Sequence, residues 1–166
     1  MCNLKKMVFI GMVLAVVVSA AGHTGVVKKV LSGDLIQFGD TFVARLTGIA
    51  CPPREEQIGY EIYDFTKGEL EGQTVALFTW TTDNTAAGIV HDEKGYPFVQ
   101  IYYGKGASVS FNEVLLKKGY ARVDIKYLPD DLKHYLGLEK EAREKGLGIW
   151  KTHCSSPEHP RPVRWA

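Results

Sequence analysis

The stretch VARLTGIACPP, residues 43–53, does most to decide the fold of this chain. It begins as an alternating β-strand whose arginine, Arg45, faces away from Ala44 and Leu46, and it continues into a short loop that ends in two prolines. Just upstream, Ser32-Gly33-Asp34 is a turn signal before a further apolar run. Without other information, Arg45 would be an ordinary arginine on the polar face of a strand, and the aspartate an ordinary turn carboxylate.

The pattern around this stretch is that of an α+β chain rich in short strands. The first predicted strands form a meander with tight turns and cover residues 26–31, 35–38 and 41–46. The period then changes to that of a helix over Gln57–Leu70, which Gly72 ends. Later strands are predicted at residues 74–79, 98–103 and 120–125, and later helices at residues 111–118 and 129–146. Ser110 and Glu113 have the spacing of a capping box. Five or six short strands are compatible with a small closed or partly open barrel.

The N-terminus has the features of a secretory signal peptide. Lys5 and Lys6 precede an apolar run over Met7–Val18, and small residues follow at 19–22. We therefore expect residues 1–21 to be removed and the protein to be secreted or periplasmic. An uncleaved anchor is the alternative, although the run is shorter than the roughly 20 residues that span a bilayer.

Cleavage would leave one domain of ordinary size at residues 22–151, with a tail at 152–166 that is rich in proline and histidine. Loss of Lys5 and Lys6 leaves 18 Lys and Arg against 19 Asp and Glu, so that the formal charge changes from +1 to −1. A near-neutral domain is weak evidence for tight nucleic-acid binding, which depends on neutralising phosphates. We expect no stable membrane association after cleavage, and the oligomeric state stays open.

Three segments of the chain together resemble the staphylococcal nuclease (thermonuclease) family. They are residues 43–53 with the Ser-Gly-Asp turn, FNEVLLKKGYARV at residues 111–123, and EAREKGLGIW at residues 141–150. The resemblance runs from about Gly25 to Trp150. It implies a five-stranded OB-fold barrel with three helices.

The resemblance also implies a site at which one calcium ion, two aspartates, a backbone carbonyl, a glutamate and two arginines hydrolyse a phosphodiester. Asp34 matches the first metal aspartate, and Arg45 matches the first arginine on the phosphate. Cys51 stands where the backbone carbonyl ligand is expected, and any residue can supply a carbonyl.

Three other positions of that site have changed in this chain. Ala50 stands where the second metal aspartate is expected, Pro53 replaces the glutamate that orients the water, and Tyr96 replaces the second arginine. Calcium takes six to eight oxygen ligands and gains most from anionic ones, so its binding is expected to be weakened. Glu55 or Glu56 could act as a displaced base only by reaching back into the loop.

Two functional hypotheses follow from the resemblance. In the first, nuclease activity is lost or strongly reduced, and the domain retains a role in binding nucleic acid or a protein. In the second, the protein is a secreted calcium-dependent nuclease that uses Asp34, Arg45 and a displaced carboxylate, Glu55 or Glu56. A second carboxylate in the pocket of Arg45 would favour the enzyme.

Two cysteines would remain after export, Cys51 in the loop and Cys154 in the tail. An oxidising compartment permits them to form a disulfide, and two separate thiols are the alternative. The sequence does not decide between them because pairing depends on geometry.

Overall fold

Eight strands and three α-helices make up the described part of the chain. The computed structural model describes residues 23–82, 88–127 and 131–155. The strands are β1 His23–Val30, β2 Leu35–Phe38, β3 Phe42–Leu46, β4 Ile49–Ala50, β5 Thr74–Thr79, β6 Phe98–Tyr103, β7 Val109–Ser110 and β8 Arg122–Val123. The α-helices are α1 Gln57–Leu70, α2 Phe111–Lys117 and α3 Leu132–Glu144, and two 3₁₀ helices cover Ile125–Tyr127 and Gly148–Ser155.

Five of these strands close into a barrel. They follow the order β3-β2-β1-β5-β6 with antiparallel neighbours. The barrel closes where β3 pairs in parallel with β6, with Arg45 opposite Phe98 and Leu46 opposite Val99. The backbone N–H of Arg45 donates to the carbonyl of Pro97 at 2.9 Å, so this arginine lies at the seam of the barrel. The closed barrel with three helices confirms the fold predicted from the sequence.

The apolar faces of strands and helices meet in one core. Thirteen of its members shape the barrel interior and the helix contacts: Val27, Val30, Ile36, Leu46, Ile49, Ile62, Leu70, Val99, Ile101, Phe111, Leu115, Leu116 and Ala121 are all buried. Helix α1 lies against the turn before β2, where Thr66 donates to the carbonyl of Gly33 at 3.2 Å. A Cβ on Gly59 would overlap the carbonyl of Pro53, so the loop after β4 passes directly over this helix.

The strand predicted at residues 120–125 is wrong over most of its length. Only β8 is extended there, and the chain then turns into the 3₁₀ helix Ile125–Tyr127. The reason is long-range: Gly48 donates its N–H to the carbonyl of Tyr127 at 2.8 Å, which holds this segment across the turn between β3 and β4.

The capping box predicted at α2 is half formed. The hydroxyl of Ser110 accepts a hydrogen bond from the backbone N–H of Glu113 at 3.4 Å. The carboxylate of Glu113 does not return this bond but pairs with Lys117 at 2.9 Å and with His134 at 3.4 Å. Lys117 lies one turn further along α2, and His134 is brought to Glu113 because α3 packs beside α2.

The predicted signal segment, residues 1–21, lies outside the described residues, and so does most of the predicted tail. Among the residues that are described, no helix is both long and apolar enough to cross a membrane.

Candidate functional site

The candidate site is an arginine held between two aspartates. The guanidinium Nη1 of Arg45 lies 2.8 Å from Oδ2 of Asp34, and its Nε lies 2.7 Å from Oδ2 of Asp92. The side chains of both aspartates are about nine-tenths buried, at 8% and 10% exposure, and that of Arg45 is 25% exposed. Two charge-assisted hydrogen bonds in a partly desolvated place form a strong, well-oriented contact.

Local structure positions Asp34 and Arg45 next to each other. Asp34 ends the turn into β2, and the register of β2 and β3 places Leu35 opposite Arg45. The carbonyl of Asp34 accepts the N–H of Leu46 at 2.9 Å, and its Oδ1 accepts the hydroxyl of Ser32 at 2.8 Å. Both carboxylate oxygens of Asp34 are therefore occupied by donors of the protein itself.

Asp92 organises the turn that leads towards β6. Its Oδ1 accepts the backbone N–H groups of Lys94 and Tyr96, each at 2.9 Å, and Gly95 supplies the positive φ of 83° that the turn requires. Tyr96 contributes its backbone to the turn, where its N–H donates to the carboxylate of Asp92 and its carbonyl accepts the N–H of Asp92, each at 2.9 Å. The sequence-based reasoning missed Asp92 as a site residue, although an aspartate at the start of a turn that contains glycine is a recognisable signal.

The electrostatics match this geometry. Burial alone would lower the pKa of Arg45, but the charges and hydrogen bonds of Asp34 and Asp92 raise it. Burial alone would raise the pKa of Asp92, but the hydrogen bonds from Arg45 and from the N–H groups of Tyr96 and Lys94 lower it. The arginine and Asp92 therefore hold their charges more firmly than free side chains would.

Two of the three positions that the resemblance marks as changed, Ala50 and Pro53, lie on β4 or in the loop after it. Ala50 pairs with Arg122 where β4 meets β8. Pro53 follows in the loop, where its carbonyl accepts the N–H of Glu56 at 3.1 Å. Glu55 and Glu56 are both exposed. Among the described residues, no hydrogen bond or ion pair joins either glutamate to Arg45, and the second carboxylate at the arginine is Asp92.

The groups available for a calcium ion are few. Asp34 offers one carboxylate, whose oxygens already accept bonds from Arg45 and Ser32, and Cys51 offers a carbonyl. Ala50 offers no side-chain oxygen. Within the described ranges, no group of three or more His, Cys, Asp and Glu side chains could hold a metal ion. Even with Asp92, whose oxygens accept bonds from Arg45 and from the turn, the oxygens that the protein offers here fall short of the six to eight that calcium takes.

Cys51 is a buried cysteine beside the site. Burial raises the pKa of its thiol well above the ordinary value, and the nearby charge of Asp34 adds to the shift. A thiol of this kind reacts slowly because the thiolate is the reactive form. The side chain of Cys154 lies outside the described residues, so the proposed Cys51–Cys154 pairing stays a prediction.

The closed barrel with its three helices, and the arginine at its seam, place this chain among the small α+β proteins built on an OB-type barrel. Comparison of sequences defines the group more closely: the family model described as staphylococcal nuclease homologue matches residues 43–152, and the chain belongs to this family.

Two relatives are similar to this chain. An uncharacterized protein, MJ1439, of Methanocaldococcus jannaschii is 31% identical over 155 residues, which cover 77% of this chain and 72% of that protein. The endonuclease Htp3 of Saprolegnia parasitica is 28% identical over 123 residues, which cover 66% of this chain and 53% of the endonuclease. The chain therefore spans about half the length of that second relative.

Proposed function

We propose that this chain is a staphylococcal-nuclease-like domain in which phosphodiester hydrolysis is lost or strongly reduced, and that it acts by binding a nucleic acid or a protein partner. We propose further that it is exported, as the signal-like segment at residues 1–21 indicates, and that calcium binds weakly if at all.

The observation that carries this proposal is that two carboxylates hold the guanidinium of Arg45. An arginine that binds phosphate must turn its N–H groups towards the ligand. Here two of those groups are held by Asp34 and Asp92 at 2.8 Å and 2.7 Å. Three of the five N–H groups of the guanidinium are not held in this way, so a phosphate that reached them would compete with both carboxylates for the charge of the arginine.

The changed family positions support the same proposal. Ala50 and Pro53 carry no side-chain oxygen that could bind a metal ion or orient a water, and Tyr96 has no charge for a phosphate. Loss of one electrostatic contributor typically costs about 10²–10³ in rate. Three such losses do not simply multiply, because groups that act as a unit are not additive. The activity that is left should nevertheless be small.

The alternative is an active nuclease, and two findings favour it: Asp92 is a second carboxylate at Arg45, and a relative of 28% identity bears the name endonuclease. In this case Asp34 would bind the metal ion, Arg45 would bind the phosphate after release from Asp92, and Glu55 or Glu56 would serve as base. The exposed positions of both glutamates on the loop before α1 require that loop to move. Catalysis tolerates little displacement of this kind.

A cleavage assay that includes a variant with the three family residues restored distinguishes the proposed binding domain from the active nuclease. The wild-type chain, the Asp34→Ala variant and a triple variant with Ala50→Asp, Pro53→Glu and Tyr96→Arg are incubated with single-stranded DNA and RNA at millimolar calcium, with and without chelator. The matched control for the triple variant carries the uncharged amides Ala50→Asn, Pro53→Gln and Tyr96→Gln at the same positions.

We expect no chelator-sensitive cleavage by the wild-type chain, and a gain of such cleavage in the triple variant but not in its amide control. Chelator-sensitive cleavage by the wild-type chain that Asp34→Ala abolishes would refute the proposal. Fluorescence anisotropy with labelled single strands at about 50 and 200 mM salt then decides the kind of partner, because phosphate-driven binding weakens steeply with salt. A chain that neither cleaves nor binds nucleic acid would favour a protein-interaction or structural role.

A further inference from the structure

Two arginines from different elements lie against the same tryptophan. The guanidinium carbon Cζ of Arg122, on β8, is 4.9 Å from the ring centre of Trp150, and that of Arg143, on α3, is 5.3 Å from it. Trp150 is buried, whereas Arg143 is exposed and Arg122 is half-buried. The indole therefore holds two cations close to each other at the protein surface.

Neither of these arginines is paired with a carboxylate. Among the described residues, no ion pair and no side-chain hydrogen bond involves Arg122 or Arg143, and the buried Nε of Arg122 has no hydrogen-bond partner there. Arg45, in contrast, is held by two carboxylates at 2.8 Å and 2.7 Å. The face of an aromatic ring attracts a guanidinium but uses none of its five N–H donors in an ordinary hydrogen bond. Arg122 and Arg143 thus keep both charge and donors for a ligand.

The acids close to this pair are occupied elsewhere. Glu139 stands one helical turn before Arg143 on α3. Burial raises the pKa of its carboxyl, while a hydrogen bond from the backbone of Val123 and the charges of both arginines lower it. Asp124, two residues after Arg122, accepts the backbone N–H of Lys126 at 3.1 Å. Neither acid forms an ion pair with these arginines.

The pairing of β8 with β4 brings Arg122 beside the candidate site. Arg122 lies opposite Ala50 in this antiparallel ladder, and side chains directly opposite each other project from the same face. Cys51, the next residue, is close enough to Asp34 and Arg45 to be affected by their charges. An aspartate at position 50, which the family resemblance leads one to expect, would face Arg122. The alanine leaves this arginine without a carboxylate across the ladder.

We propose that Arg122 and Arg143 form a phosphate-binding site, and that its ligand is the backbone of a single-stranded nucleic acid. This inference rests on the nucleic-acid role in the proposed function and deepens it, because it names the arginines that hold the strand while Asp34 and Asp92 hold Arg45.

The chemistry of the pair selects this ligand. The planar fork of an arginine matches two oxygens of one phosphate, and a partly buried cation attracts an anion more strongly than a fully hydrated one. Because both guanidiniums contact one ring, they lie close enough for neighbouring phosphates of the same strand. A strand supplies phosphates in a row, so it can use both arginines at once.

Removal of either arginine should weaken binding about tenfold, which is the lower end of what a charge-assisted hydrogen bond contributes, because both side chains keep contact with water. Each substitution to glutamine should also reduce the slope of log affinity against log salt by about one. Arg54→Gln is the matched control, since Arg54 is an exposed arginine that lies 3.8 Å over the ring of Tyr63, outside the proposed site.

Two neighbouring substitutions should act in opposite directions. Glu139→Gln removes a negative charge beside the arginines and should tighten binding. Ala50→Asp places a carboxylate opposite Arg122 and should weaken binding, whereas the uncharged Ala50→Asn should not.

The test is a titration with single-stranded DNA and RNA of about 12 nucleotides, with chelator present, at salt concentrations from about 50 to 200 mM. The protein comprises residues 22–166 with Trp80→Phe and Trp165→Phe, so that the indole emission comes from Trp150. Anisotropy of a labelled strand measures affinity, and the emission of Trp150 reports binding at the two arginines. Circular dichroism verifies that each variant is folded, and Arg143→Gln, at an exposed helix position, keeps the test decisive if Arg122→Gln does not fold.

The inference is overturned if the Arg122→Gln and Arg143→Gln variants bind as tightly as the parent chain, or if a strand that anisotropy shows to be bound leaves the emission of Trp150 unchanged. The nucleic-acid role stands in both cases. If the parent chain binds no strand by either measure, the nucleic-acid role itself fails. Millimolar inorganic phosphate identifies the ligand in that case: a change in Trp150 emission that Arg143→Gln abolishes would assign the site to small phosphates and overturn the strand as its ligand.

Discussion

Replacement of Asp92 by asparagine probes the contact on which the candidate site depends. The substitution keeps an oxygen that can accept the two backbone N–H groups of the turn, now held by Oδ1 at 2.9 Å. The amide –NH₂ must then face Nε of Arg45, which is also a donor. One charge-assisted hydrogen bond of 2.7 Å is lost, and a donor is turned towards a cation.

The structure sets the size of the effect. Hydrogen bonds to charged groups contribute about 1.5–3 kcal/mol, and a buried donor without a partner costs a similar amount. Because the side chain of Arg45 is 25% exposed, solvent recovers part of this loss. We expect Asp92→Asn to lower the free energy of unfolding by about 2 kcal/mol at pH 7. Each kcal/mol shifts the midpoint of thermal unfolding by roughly 3 °C for a domain of this size, so this midpoint should fall by about 6 °C.

The pH dependence gives a second check with a defined sign. The pKa of Asp92 is lowered in the folded chain, from an ordinary value of 3.8. The stabilisation is therefore fully present above the unfolded value and is lost as the pH falls through the lower folded value. The difference between wild type and Asp92→Asn should shrink from pH 7 to about pH 3.

Urea unfolding followed by circular dichroism at pH 7 and at about pH 3 measures the difference in stability between wild type and Asp92→Asn. Asp40→Asn is the control, because Asp40 pairs with Lys28 where both side chains are exposed, and it should change stability by less than about 0.5 kcal/mol. The reasoning would be refuted if Asp92→Asn were as stable as wild type at pH 7, or if its deficit were undiminished at pH 3.

Three further predictions concern stability. In α1, Gly59→Ala should lower the free energy of unfolding in urea by more than about 2 kcal/mol, because its Cβ would overlap the carbonyl of Pro53. Gly68→Ala on the same helix is the control: its Cβ meets nothing within 4 Å, and the substitution should stabilise the chain by about 0.5–1 kcal/mol. Burial raises the pKa of Glu139, although a hydrogen bond and nearby arginines lower it. The stability that the neutral carboxyl contributes is therefore lost as the pH rises through its folded pKa. Glu139→Gln should stabilise the chain at pH 7 by less than about 1 kcal/mol, measured as a higher thermal midpoint, and leave the midpoint unchanged at pH 3. Asn112→Ala should cost about 2–4 kcal/mol in urea unfolding, because the fully buried amide holds a carbonyl of the β3–β4 turn at 2.9 Å and an N–H of β6 at 3.3 Å.

Local sequence patterns predicted most of the helices and strands but not the pairing of strands that closes the barrel. Helix α1 begins and ends where the change of period and Gly72 predict, because both signals lie within the segment itself. The parallel pairing of β3 with β6, in contrast, joins residues far apart in the chain, and only the family resemblance implied a closed barrel. The segment after β8 was predicted wrongly for the same reason, since the bond from Gly48 to Tyr127 is a long-range contact.

The candidate site shows the same division. Asp34 and Arg45 were identified because the family motif spans both of them. Asp92 lies 47 residues from Arg45, and its local sequence marks only a turn. No pattern within the turn indicates that one carboxylate oxygen holds the turn while the other reaches an arginine on a different strand.

Asp92, which the sequence did not indicate as a site residue, changes the charge balance of the site. Two carboxylates, Asp34 and Asp92, face one guanidinium, so the three groups together carry a net negative charge that would repel a phosphate. A metal ion would reverse that balance, but Ala50 supplies no side-chain oxygen to help bind one. The ion pairs that stabilise the seam of the barrel are thus the contacts that oppose phosphate binding.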